Sequence, residues 1–360
     1  MEGLVINANP TVSLLCYSVL RVEPYNFCSY SCTYCYRAWA ARKRMPRVNF
    51  RDVVFFKHLA EKLQGEEYKL PVRLSTLCEP FQPAEEKYRL SLRVLKYALR
   101  YQMPIIVSTK STLPAKKPWI QILSELASKQ LLVVQYTILT FSQAWSSLEP
   151  KTPSPQERLD AAGQLSDAGI PLIIRVQPVI PGVNDTASEF EELMREASKA
   201  GFKQAVIETI RTTPDSKYAM EWYKPYHGSK HLVSPPTSYK YKVTRQAAHT
   251  ARMANLKFSG CKEGFLDMYN AENCCGLDNM EGYSLRITIR DIYRRTAKGE
   301  ALEEAINNLL EDPRYVESNL KAYPKPIRKK LRKHHNMLIK CLQTGLAAEI
   351  APTLQQATKV

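Results

Sequence analysis

Cys28, Cys32 and Cys35 carry the clearest chemical signal in the chain, in the run Phe27-Cys-Ser-Tyr-Ser-Cys-Thr-Tyr-Cys-Tyr36. Their C-x3-C-x2-C spacing puts three thiolates on one short loop, enough to hold three irons of a [4Fe–4S] cube. The fourth iron would then lack a protein ligand and be free to bind another molecule. A cluster closed by four cysteines mostly carries electrons, whereas an open iron can also do chemistry on whatever it binds. The competing reading is a structural zinc knuckle. Zinc takes four closed Cys or His ligands, and no fourth lies in this loop: Cys16 sits in an apolar run and the nearest histidine is His58.

A second group of cysteines, Cys261 and the adjacent pair Cys274-Cys275, lies further along, close to Gly260 and Gly276. Glycines there let the backbone turn tightly around an ion or cluster. The group could form a second metal site or Fe–S cluster, with Cys341 or His249 as a fourth ligand or with one position open. Alternatively one of its thiols serves hydrogen transfer, or all three are buried thiols of a small cap.

The chain has 360 residues, 44% of them apolar, enough for one domain of about 200–250 residues plus an appendage. No apolar stretch approaches the roughly 20 residues that span a bilayer, and the N-terminus lacks a signal-peptide pattern. Clustered cysteines fit ligation in a reducing compartment better than disulfides. The expectation is a cytoplasmic protein with no membrane partner. A net charge of +16 favours a polyanionic partner such as nucleic acid. Between Lys321 and Lys340 there are eight Lys or Arg and no acid. Arg328, Lys329, Lys330, Arg332 and Lys333 are the candidate nucleic-acid contacts, with a solvated helix face as the alternative.

Strands and helices alternate from about residue 12 to 210. The pattern predicts strands at Val12–Val22, Val72–Leu77, Ile105–Ser108, Leu131–Leu139, Leu172–Val179 and Ala205–Glu208. Between them it predicts helices at Asp52–Leu63, Glu85–Leu99, Trp119–Ala127, Glu157–Ala168 and Ser188–Ala200. Six β units of this regularity imply an α/β chain, a partial (β/α)6 TIM-like barrel, with a loop-rich and helical C-terminal extension. The implied division is 1–210 for the barrel, 211–290 for a cysteine-containing cap and 291–360 for a basic helical region. Parallel barrels place chemistry at the C-terminal ends of their strands, and the cysteine loop directly follows the first one.

Further motifs accompany the loop: Leu74-Ser-Thr-Leu-Cys78-Glu79-Pro80-Phe81-Gln82-Pro83, Ile105-Ile-Val-Ser-Thr-Lys110-Ser111, and a series from Leu148-Glu149-Pro150 through Arg158-Leu159 to Pro178-Val-Ile-Pro-Gly182-Val-Asn184-Asp185. Together they resemble the spore photoproduct lyase-like branch of the radical S-adenosylmethionine (SAM) superfamily, over about residues 20–190. The resemblance implies a [4Fe–4S] cluster on Cys28, Cys32 and Cys35, whose open iron binds SAM and splits it to a 5′-deoxyadenosyl radical. It implies Tyr36 packed by the cluster and adenine, Lys110 and Thr137 holding SAM, and Arg175 and Gln177 contacting SAM or substrate. It makes Cys78 a hydrogen donor, with Tyr34 and Tyr36 relaying the radical. A reductant such as flavodoxin or ferredoxin would supply the electron.

The sequence also departs from the spore enzyme. Its Glu79-Pro80-Phe81-Gln82-Pro83 run is closer to uncharacterised relatives, and no DNA-contacting C-terminal part is recognisable. The leading expectation is a lyase-like radical SAM enzyme acting on a nucleobase in DNA or RNA, in repair or modification. Such a base must leave its stack, and the aromatic and basic segments Tyr218–Tyr226 and Tyr239-Lys-Tyr-Lys242 could receive it or merely pack. The alternatives are a radical enzyme on a peptide or small molecule, and a nucleic-acid-binding protein with a structural or redox-sensing Fe–S centre.

Overall fold

The computed structural model describes residues 1–40, 47–227, 229 and 231–354. Its centre is a parallel sheet of seven strands in chain order: β1 (Leu20–Val22), β2 (Val72–Leu74), β3 (Ile105–Thr109), β4 (Leu132–Thr137), β5 (Leu172–Val179), β6 (Gln204–Thr209) and β7 (Lys257–Gly260). Helices cross over between successive strands, giving the partial barrel that the alternating pattern implies.

Period-two alternation sorts the strand residues. Ile105, Val107, Leu132, Val134, Leu172, Ile174, Ala205 and Ile207 pack outward into the main core beneath the helices. Their neighbours Ile106, Val133, Ile173 and Val206 point inward, where they meet Cys274, Cys275, Leu277 and Met280. The main core is contiguous from Leu4 to Leu331, so residues past the barrel share it.

Three expectations need correction. The apolar run Val12–Val22 is not one strand: Pro10–Leu15 is a helix and only Leu20–Val22 is extended. Asn9 caps that helix by accepting from Val12 N at 3.0 Å, and Pro10 occupies its first turn. The stretch Glu85–Leu99 is two helices, Ala84–Tyr88 and Leu90–Arg100, separated by Arg89 with φ +51°. Residues 211–260 are not mainly loop. They contain β7 and a helix, Thr237–Met253, whose inner face is built of Val243, Thr244, Ala247, Ala248 and Ala251. Small and β-branched residues pack such a face closely, but alanines and threonines leave only a weak apolar stripe in the sequence.

The helix Lys325–Gln343 carries the basic run. Ile327, Leu331, His334, Leu338 and Cys341 form its buried side, and Lys329, Arg332 and Lys333 are exposed. Lys330 donates to Glu2 O at 3.0 Å. No described helix is long and apolar enough to cross a membrane.

His334 is 1% exposed, with Nε2 at 2.8 Å from Ile6 O and Nδ1 at 3.0 Å from Ser13 Oγ. Burial, reinforced by Arg286, pushes its pKa down to about 4, so the folded chain holds a neutral ring. The unfolded ring takes up its proton near 6.5. The associated stability is therefore complete above that value and is lost as pH falls towards about 4. Urea denaturation should show about 3 kcal/mol of acid-linked destabilisation across this window, and His334→Gln should remove it. Equal pH dependence in both proteins would contradict this account.

Candidate active site at the barrel mouth

The C-terminal strand ends are tied together by buried carboxylates. Glu23, just past β1, accepts from Ser75 Oγ at 2.6 Å, Thr76 N at 2.8 Å and Thr76 Oγ1 at 2.6 Å beyond β2. Glu79, past β2, accepts from Thr109 Oγ1 at 2.7 Å and Lys110 N at 2.8 Å at the end of β3. Glu263, past β7, accepts from Thr209 N at 2.9 Å at the end of β6. Backbone N–H groups at strand ends need partners once buried, and a carboxylate that accepts two or three of them forms strong, directional bonds.

The cysteine loop is braced from the same side. Gln82, fully buried, donates through Nε2 to Phe27 O at 2.8 Å and accepts from Ser29 N at 3.1 Å. Glu85 accepts from Tyr25 OH, Ser91 N, Leu92 N and Trp119 Nε1. Thr33 N donates to Leu148 O at 2.9 Å. Cys28, Cys32 and Cys35 are half-buried free thiols on this loop and interact electrostatically with one another. Burial pushes Cys28 up, and Cys32 up to about 12, so loading a metal there releases protons. A set of sulfur donors with no oxygen or nitrogen ligand among them suits an iron–sulfur cluster.

Cys78 falls beside the loop, as expected. Its thiol pKa is raised by burial and then by Glu23, Cys28 and Cys35, and lowered by Arg37. It is therefore a protonated S–H at neutral pH. Tyr36 shares the neighbours Glu23 and Cys35 and also faces Arg175 and Arg211. Tyr34 is turned to the other side, where its OH donates to Glu149 Oε1. The structure thus separates the two tyrosines.

Lys110 Nζ lies 3.9 Å from Glu149 Oε1 and 5.8 Å from the Tyr34 ring. Arg158, 0% exposed, holds the other Glu149 oxygen at 2.6 Å. Two cations share this carboxylate, and Lys110 also interacts with the buried Glu79. Arg158 Nη1 also donates to Thr137 O at 3.0 Å, so Thr137 is fixed through its backbone. Arg175 donates to Gln177 Oε1 on the inner face of β5. Sequence reasoning assigned no role to Glu23, Gln82, Glu85, Glu149 or Arg158, although several stand in the quoted motifs. A Glu-Pro step after a strand was the available signal.

Beyond β6 the segment from Arg211 covers one side of the mouth. Leu139, Leu148, Ile180, Ile210 and Tyr223 form a small core, with Tyr34 and Tyr218 packed against it. Trp222 is partly exposed and packs 5.2 Å from Tyr239. Tyr226 lies between Arg211 and Lys240, at 5.2 and 5.3 Å. The basic run Arg328–Lys333 is elsewhere, on residues 2–13 that precede β1. Among the expected fourth ligands for Cys261, Cys274 and Cys275, Cys341 packs with Leu14, Leu15 and Leu338 and His249 is exposed. Neither joins the group.

A parallel barrel with three loop thiols at its mouth defines an iron–sulfur enzyme architecture. Residues 22–209 match the radical SAM superfamily, and the chain belongs to it. An uncharacterised protein of Mycobacterium tuberculosis is 25% identical over 190 residues, covering 50% of this chain and 55% of that protein. The chain thus spans about half the length of the first curated relatives it matches. An uncharacterised protein of Methanocaldococcus jannaschii is 24% identical over 245 residues, covering 66% of this chain and 88% of its own. Spore photoproduct lyase complexed with dinucleoside spore photoproduct superposes with TM-score 0.54 at 15% identity, over 71% of this chain and 79% of that one. A cysteine-to-serine mutant of the lyase gives 0.55 at 14% identity over the same shares. At this identity the likeness establishes the fold.

Glu149 is 1% exposed and holds Arg158 and Lys110 in place. Removing one partner of a buried ion pair costs about 3–5 kcal/mol, and Glu149→Ala should lower stability by that amount in urea denaturation. The double variant Glu149→Leu/Arg158→Met should recover part of the loss. A single substitution without effect would show the pair to be dispensable.

Proposed function

We propose that this chain is a radical SAM enzyme that acts on a nucleobase in DNA or RNA and uses Cys78 as hydrogen donor. A [4Fe–4S] cluster on Cys28, Cys32 and Cys35, with SAM bound, would supply a 5′-deoxyadenosyl radical. The observation that carries the reading is the placement of Cys28, Cys32 and Cys35 on the loop past β1, with Cys78 on the neighbouring loop past β2.

Around that group the residues have separable tasks. Gln82 and Glu85 hold the loop in one conformation. Lys110, held loosely at 3.9 Å from Glu149, suits the SAM carboxylate, since a sheltered anion needs a cationic partner. Arg175 and Gln177 line the inner wall below Tyr36. Cys78 would quench the substrate: its S–H bond breaks, a C–H bond forms, and a thiyl radical is left on sulfur. One electron and one proton from a reductant of the flavodoxin or ferredoxin type restore the thiol.

Nucleic acid as substrate is favoured by the net charge of +16 and by the mouth itself. Trp222, Tyr226 and Tyr239 with Arg211 and Lys240 combine ring faces with cations, the pairing that receives unstacked bases and their phosphates. Their position makes them the better candidates for base contact. The run Arg328–Lys333 would at most contact flanking phosphates.

Anaerobically reconstituted protein with SAM and dithionite should release 5′-deoxyadenosine, and Cys35→Ala should release none. Cys78→Ala should keep SAM cleavage within a few-fold of wild type while the substrate product changes or disappears. Oligonucleotide affinity should fall steeply with salt, and Trp222→Ala should weaken single-stranded binding by about 1–3 kcal/mol. Failure of wild-type protein to form 5′-deoxyadenosine overturns the enzyme reading. Affinity insensitive to salt overturns the nucleic-acid part alone.

A further inference from the structure

Below the mouth the inward layer of Ile106, Val133, Ile173 and Val206 is joined by a polar and sulfur-bearing group, which departs from the purely apolar filling common in parallel barrels. Arg73 on the inner face of β2 donates to Ser108 Oγ at 2.6 Å, Gln135 Oε1 at 2.8 Å and Cys275 Sγ at 3.4 Å. Ser108 and Gln135 are neutral, and the Cys275 thiol is shifted down by its hydrogen bond with Cys274 and by Arg73. Its strongest electrostatic neighbours are Cys275, Cys16, Cys261 and Cys274. Cys261 is hydrogen-bonded to Cys274, and the Cys274 and Cys275 sulfurs are 4.0 Å apart. Cys16, from the run before β1, faces both Cys261 and Arg73. Four thiols from three distant parts of the chain therefore lie around one half-buried guanidinium.

The fold holds the backbone of this group in place. Gln135 Nε2 donates to Cys274 O at 3.3 Å and Cys275 O at 3.2 Å, and Asn273 Oδ1 accepts from Cys275 N and Leu277 N. Gly276 has φ +76°, and a Cβ there would lie 2.0 Å from Ile173 Cδ1, so only glycine lets the loop approach the strands this closely.

The charge around the thiols is unbalanced. Arg290, 4% exposed, donates to Ser259 Oγ at 2.9 Å, and its Nε has no partner. Arg286, 1% exposed, donates to Cys16 O at 3.0 Å, and its Nη2 has none. The carboxylate Asp291 is engaged by Tyr17 OH, Tyr315 OH and Thr288. Arg286 faces the buried carboxyl of Glu317, whereas among the described residues neither Arg73 nor Arg290 forms an ion pair, and buried cations without anions are costly. A four-thiolate [4Fe–4S] centre carries about two negative charges and would supply the missing ones. Among the described residues no three His, Cys, Asp or Glu side chains are already set around a metal ion, and with Cys274 and Cys275 only 4.0 Å apart the thiols would have to part to take a cube.

We propose that Cys16, Cys261, Cys274 and Cys275 ligate a second iron–sulfur cluster inside the barrel. All four irons have protein ligands, which makes it an electron-transfer centre. Arg175 interacts with Arg73 and Cys261 on one side and with Tyr36 on the other, and so lies between the two cysteine groups. This assignment does not rest on the reaction proposed for the mouth, since it uses different ligands.

The test is an iron and sulfide count on anaerobically reconstituted protein. The variant Cys28→Ala/Cys32→Ala/Cys35→Ala should keep about four irons and four sulfides per chain, reducible by dithionite and visible by electron paramagnetic resonance. Adding Cys16→Ser, a half-buried and mild substitution, should remove at least half of that iron with the circular dichroism unchanged. Adding Cys341→Ser should leave it in place. The proposal is overturned if the triple variant holds no iron, binds zinc alone, contains a Cys274–Cys275 disulfide, or keeps its iron when Cys16 is replaced. None of these readouts involves SAM cleavage, so its failure and failure of the mouth chemistry are told apart.

Discussion

The mouth depends on carboxylates placed one step past the ends of parallel strands. Parallel strands finish with unpaired N–H groups, and in a partial barrel these point into the site. Glu23 joins the end of β1 to that of β2, Glu79 joins β2 to β3, and Glu263 joins β7 to β6. Each spans one inter-strand gap with a charged acceptor, and hydrogen bonds to charged groups contribute about 1.5–3 kcal/mol apiece. The cysteine loop then rests on a rim that is already rigid. Gln82 and Glu85 extend the same principle to Phe27, Ser29 and Tyr25. Three thiols can be held ready for metal only if the loop loses little further entropy on loading.

The positive charge of the chain has two separate consequences. On the helix Lys325–Gln343 it is amphipathic decoration. Ile327, Leu331 and Leu338 anchor one side, and among the described residues none of the cations on the other lies over a ring. At the mouth, by contrast, cations and rings alternate: Arg211 and Lys240 flank Tyr226, and Trp222 contacts Tyr239. A local density of charge says where a polyanion is attracted. Ring faces beside the charge say where a base could be held.

The sequence disclosed most of the barrel and the main cysteine loop because both are local signals. A hydrophobic strand of five to eight residues and a C-x3-C-x2-C spacing can each be read in one window. The misread segments are those where tertiary context overrides the window. Val12–Leu15 has strand-like composition, but an Asn-Pro start and a packing partner in the helix Lys325–Gln343 make it helical. Thr237–Met253 is rich in Thr, Tyr and Ala and lacks a strong apolar stripe, yet its small residues let it lie close to the helix Ala187–Lys199. The rim carboxylates were visible as letters, but their partners lie 30 to 55 residues away. Cys16 is the extreme case. Nothing in its neighbourhood marks it as a ligand, and its companions are more than 240 residues further on.

The incomplete barrel explains why these distant residues meet. Seven strands leave an open side between β1 and β7, which something must cover. The segment from Cys261 to Met280 enters from that side and meets the inward layer of Ile106, Val133, Ile173 and Val206. An apolar plug would have sealed this space without further consequence. Here the plug brings three cysteines, and the strands behind it carry Arg73 and Gln135 in place of aliphatic residues. A half-buried guanidinium with no carboxylate partner is better placed beside an anion. The inner wall is therefore better suited to a negatively charged group than to the side chains that surround it.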